Sequence, residues 1–248
     1  MRVVFGRSPV AVGLAEWLAR AEPTVLAGRS AVEGAFLWRQ ADLASGAGVK
    51  AALTGARRVY VVVDEADEAD GLLALLARAA RLRGAVVLPL GAPAPPLLGK
   101  VPGLSRVRLG PVWGPSEPLV ASWARTLVAG GRVWLADPGV FRPLAVEDAV
   151  AYVSEAAERP GGVAWTVPGP SAVRLPELAA TLAKGLGRPL RTVRVPLGWA
   201  LRRAGVERAR LERWLATPEG PAQTDGWSPS RVVGAEGWLG DPGSWSAG

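Results

Sequence analysis

Cysteine and histidine are both absent from this 248-residue chain. The first absence excludes disulfides, thiolate catalysis and thiolate metal sites. The second removes the commonest general base and metal ligand, so zinc hydrolases and Ser-His-Asp hydrolases are excluded as well. Tyrosine occurs only as Tyr60 and Tyr152, and methionine only once. No apolar run reaches the 18 residues expected of a membrane-spanning helix. The opening Met-Arg-Val-Val-Phe-Gly-Arg lacks the hydrophobic region of a signal peptide. A soluble cytoplasmic protein without a metal site is expected. Any catalysis must use carboxylates, Tyr, Lys, Ser/Thr or a bound cofactor.

What is present is ample apolar material and an excess of arginine. At 49% hydrophobic residues the chain can bury a proper core. One α/β domain with a small appendage fits its length better than two equal domains. There are 29 Lys and Arg against 22 Asp and Glu, and Lys50, Lys100 and Lys184 are the only lysines. Eight arginines fall between Arg188 and Arg213. That cluster reads either as a solvated helical face or as an anion site for phosphates or nucleic acid.

Strand and helix signals alternate at short spacing through residue 90. Arg2–Phe5 is an apolar strand, Gly6-Arg7 a turn, and Ser8-Pro9 an N-cap with Pro at the first helical position. The helix is expected to run to Arg20. Strands are expected at Thr24–Ala27, Ala35–Trp38, Val59–Val63 and Val86–Leu90, with helices beginning at Val49–Leu53 and spanning 67–82. Such alternation predicts βαβ units and a doubly wound, Rossmann-like parallel sheet. Ligands of such sheets lie beyond the carboxyl ends of the strands. Past residue 90 come a strand at Val107–Leu109, a helix over 117–129, a strand near Val133–Ala136, and helices from Val146 and from Leu175 to Leu186. The expected division is a nucleotide-binding core over 1–136 and a mixed C-terminal substrate or partner subdomain over 137–248, with its helix near 146–158 packing back on the core.

The strand–Gly turn–helix at the N-terminus suits a pyrophosphate, because backbone N–H groups and the positive helix end point at the anion. Here the turn reads Gly6-Arg7-Ser8-Pro9-Val10-Ala11-Val12-Gly13. A standard fingerprint spaces its glycines evenly; this one keeps Gly6 and a Gly13 one residue late. Pro9 also removes an N–H donor, while Arg7 adds a guanidinium. Both a phosphate cradle and a plain structural turn remain open. Arg29 and Ser30 follow the second strand, where Arg suits the 2′-phosphate of NADP and an acid would suit NAD. Asp42-Leu43 closes the third strand, within reach of an adenine. The acidic run Asp64, Glu65, Asp67, Glu68 and Asp70 is a charged helix start rather than a catalytic pair.

Four segments in order resemble the extended and atypical short-chain dehydrogenases/reductases, especially their nucleoside-diphosphate-sugar epimerase and NmrA-like branches. They are Val107-Arg-Leu-Gly-Pro-Val-Trp-Gly-Pro115, Arg142-Pro-Leu-Ala-Val-Glu-Asp-Ala-Val150, the stretch from Val167-Pro-Gly-Pro170 through Leu186-Gly-Arg-Pro189, and Ser230-Arg231 through Gly237-Trp238. The resemblance implies an NADP- or NAD-binding fold and a Tyr-x-x-x-Lys pair in which Lys lowers the Tyr pKa. The chain departs from that pair. Its nearest match is Pro96-Leu-Leu-Gly-Lys100, with proline at the tyrosine position. Residues 91–106 hold four prolines and three glycines, so a connector is expected where the family has its catalytic helix.

Two functions follow as expectations. One is a cofactor-sensing, accessory or partner-binding module without tyrosine chemistry. The other is an NADPH-dependent reductase or epimerase of a nucleotide sugar or small carbonyl compound. For the second, Lys100, Ser105, Ser116 and Asp148 are candidate catalytic groups, and Arg142 and Arg194 suit an anionic substrate. A small molecule or protein partner is expected, not a membrane; nucleic acid along Arg188–Arg213 is the weakest reading.

Overall fold

A computed structural model describes residues 1–63, 73, 83–90, 92, 98, 101, 103–114, 117–137, 139–205, 215, 222–226 and 229. The acidic run, the helix expected over 67–82 (apart from the buried, helical Leu73), Pro96, Lys100, Ser116 and the Ser230–Trp238 motif lie outside these residues.

The chain forms two compact units. The first comprises Met1–Leu109, Ala149–Val167 and Gln223–Pro229; the second comprises Gly110–Asp148, Pro168–Ala222 and Ser230–Gly248. Residues 110–136, expected in the core, thus fall in the second unit, and the first takes back 149–167.

The first unit is built on a seven-stranded parallel sheet, a Rossmann-like α/β fold. Its strands are β1 (Arg2–Phe5), β2 (Thr24–Gly28), β3 (Leu37–Gln40), β4 (Arg58–Val62), β5 (Arg83–Pro89), β6 (Leu104–Leu109) and β11 (Ala164–Val167). Their spatial order is β11-β6-β5-β4-β1-β2-β3. The order reverses between β1 and β4, which places a switch point beside the first turn. β-Branched and aromatic residues dominate the central strands because both faces are covered. Alternate residues Val3, Phe5, Val59, Val61, Val86 and Leu88 join one buried cluster with Val49 and Ala52 of the helix α2 (Val49–Leu53). The intervening Val4, Leu26 and Tyr60 are equally buried on the opposite face. Helix α1 (Pro9–Ala19) packs on β1 and β2.

Three strands differ from their expected bounds by more than one residue. β3 starts at Leu37 rather than Ala35 and includes the polar Arg39 and Gln40, because pairing with Val25–Gly28 rather than hydrophobicity sets its register. β5 begins at Arg83, opposite Arg58. β6 begins at Leu104, paired with Gly84, so the last three residues of the expected connector are strand. Leu98 and Val101, also from that connector, are buried in the same core cluster. Part of the segment therefore contributes to the core.

The second unit gathers short pairs: β7 (Val112–Trp113) with β10 (Leu144–Ala145), β8 (Val133–Leu135) with β13 (Thr192–Arg194), and β9 (Val140–Phe141) with β12 (Val173–Arg174). Around them lie α3 (Pro118–Val128), α5 (Leu175–Gly185) and α6 (Leu197–Ala204), while most of α4 (Val146–Glu158) belongs to the first unit. Trp113 centres this core, edge-on to Trp123 at 6.3 Å and tilted against Phe141 at 5.6 Å. α5 ends as its sequence predicts. Gly187 adopts φ +62°, and the Arg188 and Gly187 N–H groups donate to Ala183 and Lys184 carbonyls in a Schellman arrangement. Among the described residues, no helix is long and apolar enough to cross a membrane.

Candidate nucleotide site at the carboxyl ends of the first strands

Gly6 follows β1 at φ +134°, a conformation that side chains rarely adopt. A Cβ there would lie 2.8 Å from the Val62 carbonyl oxygen and 3.1 Å from the Ala11 Cβ. The residue is therefore glycine because β1's exit passes directly against β4's end. Its N–H donates to Ala27 O at 3.2 Å, tying it to β2. Across from it, a Cβ on Gly28 would meet Gly6 O at 3.6 Å, an ordinary contact. The three strand ends thus close into one backbone-lined corner.

Ser8 caps α1 in extended conformation, its Oγ accepting from the Ala11 N–H at 3.4 Å. The Val12 N–H reaches Ser8 O. With Pro9 lacking a donor, the backbone N–H groups of Arg7, Ser8 and Val10 are those without an acceptor among the described residues. Arg7 is exposed at the turn. Gly13 lies inside α1, past the turn, so it forms no part of the cradle.

Arg29 and Asp42, singled out separately in the sequence, meet in the structure. Arg29 Nε donates to Asp42 Oδ1 at 3.0 Å, and a second guanidinium nitrogen lies 2.9 Å from the same oxygen. Asp42 also accepts from the Ala44 N–H at 3.0 Å and from the Ser45 hydroxyl at 2.8 Å. The hydrogen bonds from Ser45 and Arg29 lower the Asp42 pKa to about 2. The carboxylate stays charged, and the loop 42–47 folds around it, with Gly46 N–H on Asp42 O. Leu43 is half-buried against the core cluster, and Ser30 is exposed. The signal for the pair was the parallel adjacency of β2 and β3, which only the topology supplies.

The other candidates are placed elsewhere. Ser105 is buried at the start of β6, donating to Ala156 O and accepting from the Val163 N–H at 3.1 Å. It stands away from the carboxyl ends and staples the sheet to α4, which removes it as a catalytic group. Arg142 spends its guanidinium on the Gly169 and Pro170 carbonyls, both at 2.8 Å, and so holds a loop of the second unit. Arg194 is exposed on β13, and Asp148 is buried in α4. Tyr60 is fully buried in the sheet, its hydroxyl without a hydrogen-bond partner among the described residues, and burial raises its pKa. Tyr152 is buried in α4, edge-on to Trp165 at 6.5 Å.

No protein-family model and no curated protein matches the chain in sequence. Solved structures do match its fold. A UDP-glucose 4-epimerase from Thermotoga maritima, solved with UDP-glucose, superposes with a TM-score of 0.71 over 99% of this chain and 98% of that one, at 11% identity. A dTDP-glucose 4,6-dehydratase from Bacillus anthracis with NAD gives 0.66 over 99% and 96%, at 12% identity. The Thermus thermophilus UDP-glucose 4-epimerase with NAD gives 0.60 over 80% and 88%, at 16% identity. The Rossmann-like architecture of this chain is that of these sugar-nucleotide enzymes.

Proposed function

We propose that the chain is an NAD(P)-binding, short-chain-reductase-like protein acting as a cofactor-sensing, accessory or partner-binding module. The observation that carries this is the corner at Gly6. It combines a left-handed glycine pressed against the end of β4, an N-capped helix and N–H groups without an acceptor among the described residues, at the switch point. These features fit a pyrophosphate, with Arg7 beside it. The Arg29–Asp42 pair would face the adenosine half. A nicotinamide dinucleotide, when bound, supplies hydride chemistry; what the described residues contribute is binding and orientation.

The same pair bears on cofactor choice. A 2′-phosphate must compete with Asp42 for Arg29, so the preference for NADP over NAD is expected to be modest. Titration of the full chain with NADPH and NADH tests the proposal. Binding of either in the micromolar range supports it, and no binding of either at millimolar concentration overturns it.

The second reading, an NAD(P)-dependent epimerase or reductase of a nucleotide sugar, is favoured by the near end-to-end likeness to sugar-nucleotide epimerases and a dehydratase. Against it stand the two tyrosines, both buried and neither positioned at the cofactor corner. Steady hydride transfer to a carbonyl substrate, lost on changing Lys100 or Ser116, would establish it over the first.

A further inference from the structure

We propose that the second unit carries a binding pocket for a phosphate monoester attached to a flat ring, formed by Arg132, Arg203 and Trp134. It shares no residue with the Gly6 corner and does not depend on dinucleotide binding. Ser122, Thr126, Arg132, Trp134 and Arg203 line a shallow, open depression on the unit's surface.

Each element delivers its part by its own period. Val133 and Leu135 of β8 enter the core, so the alternate Arg132 and Trp134 turn outward. Ser122 and Thr126 stand one turn apart on α3, as Trp199 and Arg203 do on α6. The Arg203 guanidinium lies 4.8 Å from the centre of the Trp134 ring. Trp199 stacks on Trp134 at 6.4 Å and 22°, and remains 61% exposed.

What singles this place out is two guanidiniums lining one depression beside an indole. Arg2, Arg29, Arg58, Arg159 and Arg174 each pair with a carboxylate. Among the described residues, Arg132 and Arg203 have no such partner. Two guanidiniums in one depression repel each other, and the indole quadrupole offsets only Arg203. A dianion would neutralise both through charge-assisted hydrogen bonds. The Thr126 hydroxyl donates to the Ser122 backbone carbonyl at 2.8 Å, and the Ser122 side chain lines the same depression as a hydroxyl donor for the anion. The exposed indole surface supplies a platform for a flat ring next to the charge.

Calorimetric titration of the full chain with phenyl phosphate, and separately with inorganic phosphate, tests the assignment. Phenyl phosphate is expected to bind in a one-to-one ratio, more tightly than inorganic phosphate and more weakly as salt is added. Arg203→Gln and Arg132→Gln should each weaken it by about tenfold or more. Arg132→Gln leaves the Arg203–Trp134 contact intact, so its effect is read on an undisturbed fold, checked by thermal melting. Equal affinity for the two probes would overturn the ring platform. No binding at millimolar probe, binding unchanged in both variants, or binding lost only in Gly6→Val would overturn the pocket.

Discussion

Gly6 shows how much one position decides. Gly6→Ala must place a Cβ against the Val62 carbonyl and hold a positive φ. Each kind of strain costs about 1–3 kcal/mol, so the variant should melt several degrees lower and lose NAD(P)H binding in titration. A variant that binds as the parent does would show that the turn is purely structural. Asp42→Asn makes the opposite kind of change. It weakens the hold on Arg29, and the NADPH-to-NADH affinity ratio should rise several-fold in the same titration. The Asp42 carboxylate also sets a pH window. Its folded pKa, about 2, lies below its ordinary value of 3.8. The carboxylate's contribution to loop 42–47 is therefore complete above pH 4 and lost as pH falls through 2. The amide signals of Ala44 and Gly46 should stay in place from neutral pH to about 3 and move as pH falls through 2. Tyr60 is the reverse case, a phenol with its pKa raised by burial and its hydroxyl unpaired. Tyr60→Phe removes a desolvated polar group and should leave stability unchanged or raise it by about 1 kcal/mol in urea unfolding.

At the scale of the element, Ser105 shows why residue type alone misleads. A serine near the expected catalytic segment invites a chemical role, yet its two hydrogen bonds fasten β6 to α4 and to the turn before β11. Ser105→Ala leaves the Val163 N–H and the Ala156 carbonyl without that partner. The expected loss is about 1–3 kcal/mol in denaturant midpoint terms, with NAD(P)H affinity unchanged. Loss of binding without loss of stability would return Ser105 to the site. Helix ends, by contrast, follow from local chemistry. Ser8-Pro9 opens α1, and Leu186-Gly187 closes α5, both as their sequences predict.

Across the whole molecule, the seven-stranded sheet predicts a gradient of protection. β1, β4 and β5 are flanked on both sides and buried on both faces, whereas β3 is an edge strand with Leu37 61% exposed. Hydrogen exchange should be slowest in Val3–Phe5, Val59–Val62 and Ala85–Leu88 and fastest in β3. Equal protection of β3 would mean that its edge is covered by another chain. The excess of positive charge, formally +7, is distributed unevenly. Arg2, Arg29 and Arg58 of the first unit and Arg174 of the second meet acids, whereas among the described residues Arg132 and Arg203 do not. The meeting of Arg132 and Arg203 beside the Trp134 indole points the proposed anion site to that place rather than to the whole run Arg188–Arg213.

The sequence by itself determined the fold class, the order of strands β1 to β6, the N-cap of α1 and where α2 begins. Each of these rests on local periodicity, capping chemistry and the β-branched runs of a doubly covered sheet. It also determined that Tyr60 and Tyr152 fall in a strand and a helix, leaving no Tyr-x-x-x-Lys pair. Tertiary structure alone decided the rest. The start of β3 was set by pairing with β2, and the union of Arg29 with Asp42 by which strands lie side by side. The burial of Ser105 and the diversion of Arg142 to two carbonyls depend on neighbours 27 to 58 residues away. The meeting of Arg132, Trp134, Trp199 and Arg203 likewise needs a strand and a helix far apart in sequence. Side-chain period is local and can be read along the chain; partnership is not.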